Sequence, residues 1–289
     1  MNPLLLLLPL LANAPNINWA TSPALEFCLH DGIHERIAAA AARIAADPSN
    51  PALYVFRASL YREHQDWPEA HADLKKARQL APANTGLLLE EAHYFRARGQ
   101  RLAALQNLES LTTQAKSEID SQIHAAAWVL RAHILRDLKQ TQAAADAMAK
   151  AIPLQVKAEP DHFHFQAHCL QQLGFQGLKP ALECARRGIQ TLGACISLEL
   201  LAVELETKLG RCEDAIQRLT RLSHQARRKE SWYMKMGDVY WRSGQRAEAC
   251  KKYRAALAAI QRLRPRTQNT PAVKEMSRRA QSQLAMLAP

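Results

Sequence analysis

Glycine and aromatic residues are scarce in this chain: 10 of its 289 residues are glycine and 6% are aromatic. Few glycines leave little material for a phosphate-cradling loop, and no G-x-S-x-G, H-E-x-x-H or C-x-x-C pattern occurs. Alternating runs of Val, Ile and Thr, the mark of half-buried strands, are missing as well, which argues against a sheet. The apolar run at residues 4–11 is broken by Pro9 and is too short to cross a bilayer as a helix, which takes about 20 residues. These absences point away from enzyme chemistry and from a transmembrane segment. The expectation is a chain with no catalytic residues, no cofactor and no metal. The nearest approach to a metal set is His162, His164 and His168. His164 and His168 stand one helical turn apart, but no third ligand accompanies them.

Six cysteines, Cys28, Cys169, Cys184, Cys195, Cys212 and Cys250, are spread without pairing in sequence. Either all six are small core residues, or, in an exported chain, Cys184 and Cys195 on consecutive helices form a disulfide.

What the chain has in quantity is alanine and leucine in a helical rhythm. Residues 231–257 show the unit. Tyr233, Met236, Gly237 and Tyr240 recur at offsets of three, four and seven and share one helix face. Ser243, Gly244 and Gln245 break the run, and Ala249, Tyr253 and Ala256 rebuild an apolar stripe on a second helix. Gly237 and Ala249 have no bulk to hold two backbones apart, and the tyrosines fill the space beside them. Such a hairpin cannot bury both faces alone, so neighbours of the same kind are needed.

They are present. Ala58, Ala92, Ala132, Ala167 and Ala202 stand where Gly237 stands, and Ala70, Ala104, Ala144, Ala181 and Ala215 stand where Ala249 stands. Copies begin at Pro51, Thr85, Ala125, Pro160, Cys195 and Glu230, at spacings of 34, 40, 35, 35 and 35 residues. The pattern resembles the tetratricopeptide repeat (TPR), a helix-turn-helix of about 34 residues. The resemblance implies an all-α fold: a right-handed α-solenoid of tandem helix-turn-helix repeats closed by a C-terminal capping helix. Six repeats would occupy residues 51–263, preceded by an incomplete or N-capping repeat at 23–50 and followed by a linker and capping helix at 264–289. The 40-residue step puts an insertion near residues 117–124, either a longer turn or an extra helical turn.

Residues 1–22 read as a signal peptide and spacer. A short apolar stretch ends in Ala12-Asn13-Ala14, an A-x-A site, although no Lys or Arg precedes it and Pro15 follows. Export to the periplasm or the medium is the expectation; a cytoplasmic chain with an apolar N-terminal segment packed on its first repeat is the alternative.

The resemblance also implies a function. In TPR arrays the first helix of each hairpin lines a concave surface that receives a peptide or a helix of another protein. The positions expected there include His93, His133, His164 and His168, with Arg62, Arg96 and Arg136 forming a ladder beside them suited to carboxylates. In the last repeat Lys235, Asp238, Trp241 and Arg242 take this place, with Trp241 as the expected anchor. The ladder arginines could equally be solvated helix faces. The chaperone-binding TPR subclass grips a C-terminal carboxylate with Lys and Asn; no Asn stands at the matching places, so no cochaperone role is expected.

Charge is uneven. Residues 1–150 hold 15 Lys and Arg against 15 Asp and Glu, whereas residues 208–289 hold 19 against 6. The expectation is a protein-interaction scaffold or adaptor holding an acidic segment. The alternative is a basic C-terminal third that meets nucleic acid or an anionic membrane or polymer surface.

Overall fold

The computed structural model describes residues 32–113 and 120–287. The expected leader and spacer, the first part of the 23–50 repeat with Cys28, and part of the 117–124 insertion lie outside the described residues. Among those described, every regular element is helical, and the contacts divide the chain into two compact units, Met1–Ala158 and Glu159–Pro289.

The first unit opens with α1 (Ile33–Ala46), which packs on the hairpin α2 (Pro51–His64) and α3 (Trp67–Leu80). Two further hairpins follow: α4 (Thr85–Ala97) with α5 (Arg101–Thr113), and α6 (Ser121–Asp137) with α7 (Thr141–Ala151), closed by a 3-10 turn at Ile152–Leu154. First helices also touch each other, α2 on α4 and α4 on α6. The start of α6 at Ser121 lengthens it by a turn, so part of the 40-residue step is extra helix. In α1 only Ala40 and Ile44 are buried; among the described residues the helix packs on α2.

The second unit contains α8 (Pro160–Gln171) with α9 (Phe175–Leu192), α10 (Ile196–Lys208) with α11 (Cys212–Gln225), and α12 (Glu230–Arg242) with α13 (Arg246–Gln261). A short helix, α14 (Pro265–Gln268), occupies the Pro-bearing break, and α15 (Pro271–Leu287) packs on α13 and α12.

The small residues do what their spacing demands. Ala58, Ala92, Ala132, Ala167 and Ala202 on first helices, and Ala70, Ala104, Ala144, Ala181, Ala215 and Ala249 on second helices, are all fully or almost fully buried. Gly237 shows why: a Cβ there would sit 2.5 Å from Cε1 of Tyr253 on the partner helix. Larger side chains complete the core, Tyr54, Leu74 and Leu87 in the first unit and Met234, Tyr253 and Leu287 in the second.

The six hairpin turns share one device. Gln65, Gly99, Lys139, Gly174, Gly210 and Gly244 all have positive φ, between 62° and 78°. In five of the six the next residue's N–H returns to a carbonyl five residues back, as when Gln245 donates to Tyr240 at 2.9 Å and Gln140 to Leu135 at 2.9 Å. Four turns use glycine, for which this conformation is cheap; two force a side chain into it. Asn50, Asn84 and Asp120 start α2, α4 and α6 by accepting from Ala52, Leu87 and Gln122.

Candidate functional site

In the first unit the three first helices present the arginine ladder, but its guanidinium groups face carboxylates of this chain. Arg62 on α2 donates from Nε to Glu90 on α4 at 2.6 Å, and Glu90 is buried. Arg96 on α4 reaches Asp137 on α6 at 3.1 Å, and Arg136 stands 4.0 Å from the same carboxylate. Behind them Arg57 pairs with Asp73 and Arg78 with Glu91, joining α2 to α3 and α3 to α4. The ladder is therefore a set of staples between successive helices, and Arg62 in particular is withdrawn from a partner. His93 sits among these charges. Burial first, then Arg62, Arg96 and His133, pull its pKa down to about 3, so the ring is neutral at physiological pH. A cavity of about 510 Å³ opens in this unit between Trp67, His71, Tyr94 and Arg98, with Tyr94 edge-on to Trp67.

The second unit holds a groove of about 390 Å³ to which α8, α10 and α12 each contribute a wall. His164 comes from α8, and Lys235, Asp238 and Arg242 from α12, so four of the eleven residues expected on the concave surface meet here. Helix α10 supplies an apolar floor of Leu200, Leu201 and Val203, continued by Val239 of α12, and a polar edge of Ser197, Glu204 and Thr207. Val203 follows Ala202 as Asp238 follows Gly237, so the repeat register puts it on the same face; the other α10 residues were not among the positions expected from the sequence.

The groove is electrostatically lopsided. Asp238 accepts from the Tyr253 hydroxyl at 2.9 Å and from Arg279 of α15 at 2.7 Å. Glu204 is paired with Lys208, which also donates to Gln171 at 2.9 Å. Lys235 and Arg242 have no carboxylate partner among the described residues. His164 contacts the Ser197 hydroxyl at 3.0 Å. His168 is exposed and meets Gln172 rather than His164, so the two histidines share no ligand position. Trp241, the expected anchor, is 37% exposed and does not line the groove.

Three arginines of the C-terminal third are tied to buried carboxylates of this chain. Arg218 holds Glu206 and Glu199, Arg221 also holds Glu199, and Arg228 holds Glu230; all three glutamates are buried. Cys184, Cys195, Cys212 and Cys250 are free thiols. Cys184 donates to Gln166 at 3.1 Å in the core and Cys195 lies at the start of α10, so of the two alternatives the disulfide between them is not formed. No helix among the described residues is long and apolar enough to cross a membrane.

A family model described as "Bacterial transcriptional activator domain" matches residues 181–267, from α9 to α14. No curated protein matches the sequence. Among solved structures, the C-terminal part of a TPR repeat-containing protein from Cytophaga hutchinsonii is similar, with TM-score 0.50 and 15% identity over 89% of this chain and 91% of that one. Yeast Tom70 is similar with TM-score 0.51 and 15% identity over 83% of this chain and 49% of that one. YrrB, described as a TPR protein with an unusual peptide-binding site, aligns with TM-score 0.44 and 14% identity over 84% of this chain and 98% of that one. Hairpins of this geometry, in register at their small residues, together with the likeness to the Cytophaga hutchinsonii protein and to Tom70, give the chain the all-α solenoid fold of the tetratricopeptide-repeat proteins.

Proposed function

We propose that this chain is an interaction scaffold that holds an extended segment of another protein in the groove of its second unit. The observation that carries the reading is the groove itself. Three first helices converge on an apolar floor rimmed by charged side chains, two of them without partners. A rigid stack of hairpins is ordered before the partner arrives, so the ordering cost falls on the partner alone. Apolar floor and cationic rim together favour a segment that mixes apolar and acidic residues. The reading is one of binding rather than of chemistry.

The test is to pan the protein against a displayed library of random peptides, with a Leu201→Trp variant in parallel. Leu201 is half-buried on the floor, and an indole there fills the groove without touching the rim charges. Recovered peptides should bind the wild type and lose at least tenfold in affinity to the variant. Peptides that bind both equally would place the interaction elsewhere and overturn the proposal.

A further inference from the structure

We infer that the last hairpin of the second unit carries, at the end away from its turn, a site for the phosphate backbone of double-helical nucleic acid. This surface is separate from the groove and does not rest on the scaffold reading.

Residues 249–274 contain seven Lys and Arg and no Asp or Glu. Gly237 of α12 lies against Tyr253 of α13, and seven residues further along each helix the antiparallel register sets Glu230 beside Ile260. The start of α12 and the end of α13 are therefore neighbours, with axes about 8–10 Å apart. Arg227 and Lys229 lead into α12, and Arg262, Arg264 and Arg266 follow α13. Gln268 fastens α14 back onto that end by donating to the carbonyls of Gln261 at 2.9 Å and Leu263 at 2.7 Å. Lys274 stands in the first turn of α15, which packs on α13. All six cations are exposed, and none has a carboxylate partner among the described residues. The acids beside them are already engaged: Glu230 is buried and held by Arg228, and Glu275 is paired with Arg278 at 2.7 Å.

What the surface lacks decides which polyanion it suits. A protein interface is centred on apolar and aromatic side chains, and a surface lying on a bilayer sinks apolar side chains below the headgroups. None of the exposed large apolar side chains of the described residues falls within 227–230 or 261–275. Val273 is buried, and Trp232 and Tyr233 of the first turn of α12 pack against the core beside α11. A single strand is gripped by stacking its bases on aromatic faces, and no ring is presented here for that. A double helix asks for neither, because its outer surface is phosphate. Four of the six cations are arginines, whose forked donors take two phosphate oxygens at once. Contacts of this kind carry no base readout, so binding is independent of sequence.

The test is fluorescence anisotropy of a short labelled duplex with the full chain, at salt concentrations from about 50 to about 200 mM. DNA and RNA duplexes are run side by side, and the tighter one names the source of the backbone. With about four phosphates neutralised, log Kd should rise by about 3.6 per decade of salt. Arg262→Ala, Arg264→Ala and Arg266→Ala together should weaken binding about tenfold or more and lower that slope by about 2–3. Arg227→Ala with Lys229→Ala, across the same end of the hairpin, should lower it by about 1–2. Lys75→Ala, Lys76→Ala and Arg101→Ala remove the same number of exposed cations from the first unit and should leave both affinity and slope unchanged. Equal losses in the two triple variants would mean attraction by net charge alone. Tighter binding of the same sequence as a single strand would mean base stacking, and sedimentation with phosphatidylserine vesicles but no duplex binding would mean a lipid surface. Each of these results overturns the inference. Leu201→Trp should leave duplex binding as it is, so failure here and failure of the scaffold reading are read separately.

Discussion

Replacing Arg218 by methionine tests what holds α9, α10 and α11 together beneath the groove. Arg218 donates to Glu206 from Nε at 3.1 Å and from Nη2 at 2.7 Å, and it reaches Glu199 as well. Glu206 is 0% exposed, and the variant leaves it only Arg186, at 3.3 Å. Glu199 keeps Arg221 at 2.7 Å. Stranding one member of a buried ion pair costs about 3–5 kcal/mol. Because each carboxylate retains a second arginine, the expected loss falls below that range, at about 2–3 kcal/mol. In a unit of this size that lowers Tm by about 6–9 °C, read by circular dichroism on heating. The informative companion is the double variant Arg218→Met, Glu206→Met, in which the buried charge that needed a partner is gone. It should recover most of the loss, since Arg186 is one-third exposed and water can solvate it. A single variant that melts with the wild type, or a double variant less stable than the single one, would refute the account of this network as a structural pin.

Other perturbations follow from the same geometry. His93, with its pKa near 3 in the folded chain, must remain neutral while the unfolded chain takes up a proton below pH about 6.5. Stability is therefore lost as pH falls from about 6.5 toward 3. Between pH 7 and 5 the loss is about 2 kcal/mol at full depression, and about 1 kcal/mol after allowance for the ring's partial exposure. In urea titrations His93→Gln should shrink the acid sensitivity by that amount, and an unchanged difference would count against the neutral buried ring. Gly237→Ala should cost about 1–3 kcal/mol, because its Cβ would lie 2.5 Å from the Tyr253 ring; Gly237→Ala with Tyr253→Leu should suffer less. Gln65→Gly and Lys139→Gly should each raise stability by about 0.5–1 kcal/mol in thermal melts, since both hold positive φ without being glycine. Loss of stability in either would show that their side chains contribute more than the strain costs.

The fold was legible because it is written in short-range periods. Each small residue meets another about twelve positions away in the same hairpin, so spacing alone locates Ala58 against Ala70 and Gly237 against Ala249. Charge partners obey no such period. Glu90 is 28 residues from Arg62 and Asp137 is 41 from Arg96, and nothing local distinguishes these committed arginines from the unpaired Arg242. Trp241 illustrates a different limit. At 100° per residue it lies about 120° around the helix from Lys235, whereas Arg242 lies about 20° away. Its size suggested an anchor, but its phase turned it from the groove. The insertion near residue 120 was visible as a change of period, and the lengthening of α6 accounts for part of it.

Asp238 connects the groove to a helix that does not line it. Its two oxygens are held by Tyr253 of α13 and Arg279 of α15, and α15 belongs to no hairpin. With Arg279 in place, the rim of α12 offers two positive charges and a satisfied acid. Without it, the freed carboxylate would stand four residues from Arg242 and three from Lys235, close enough to engage either across one helical turn. The rim would then neutralise itself. The terminal helix thus acts as a remote bias on the polarity of the surface, so Arg279→Ala, which leaves the buried Ala280 and Leu287 of α15 in place, would keep the groove's shape yet weaken its preference for acid.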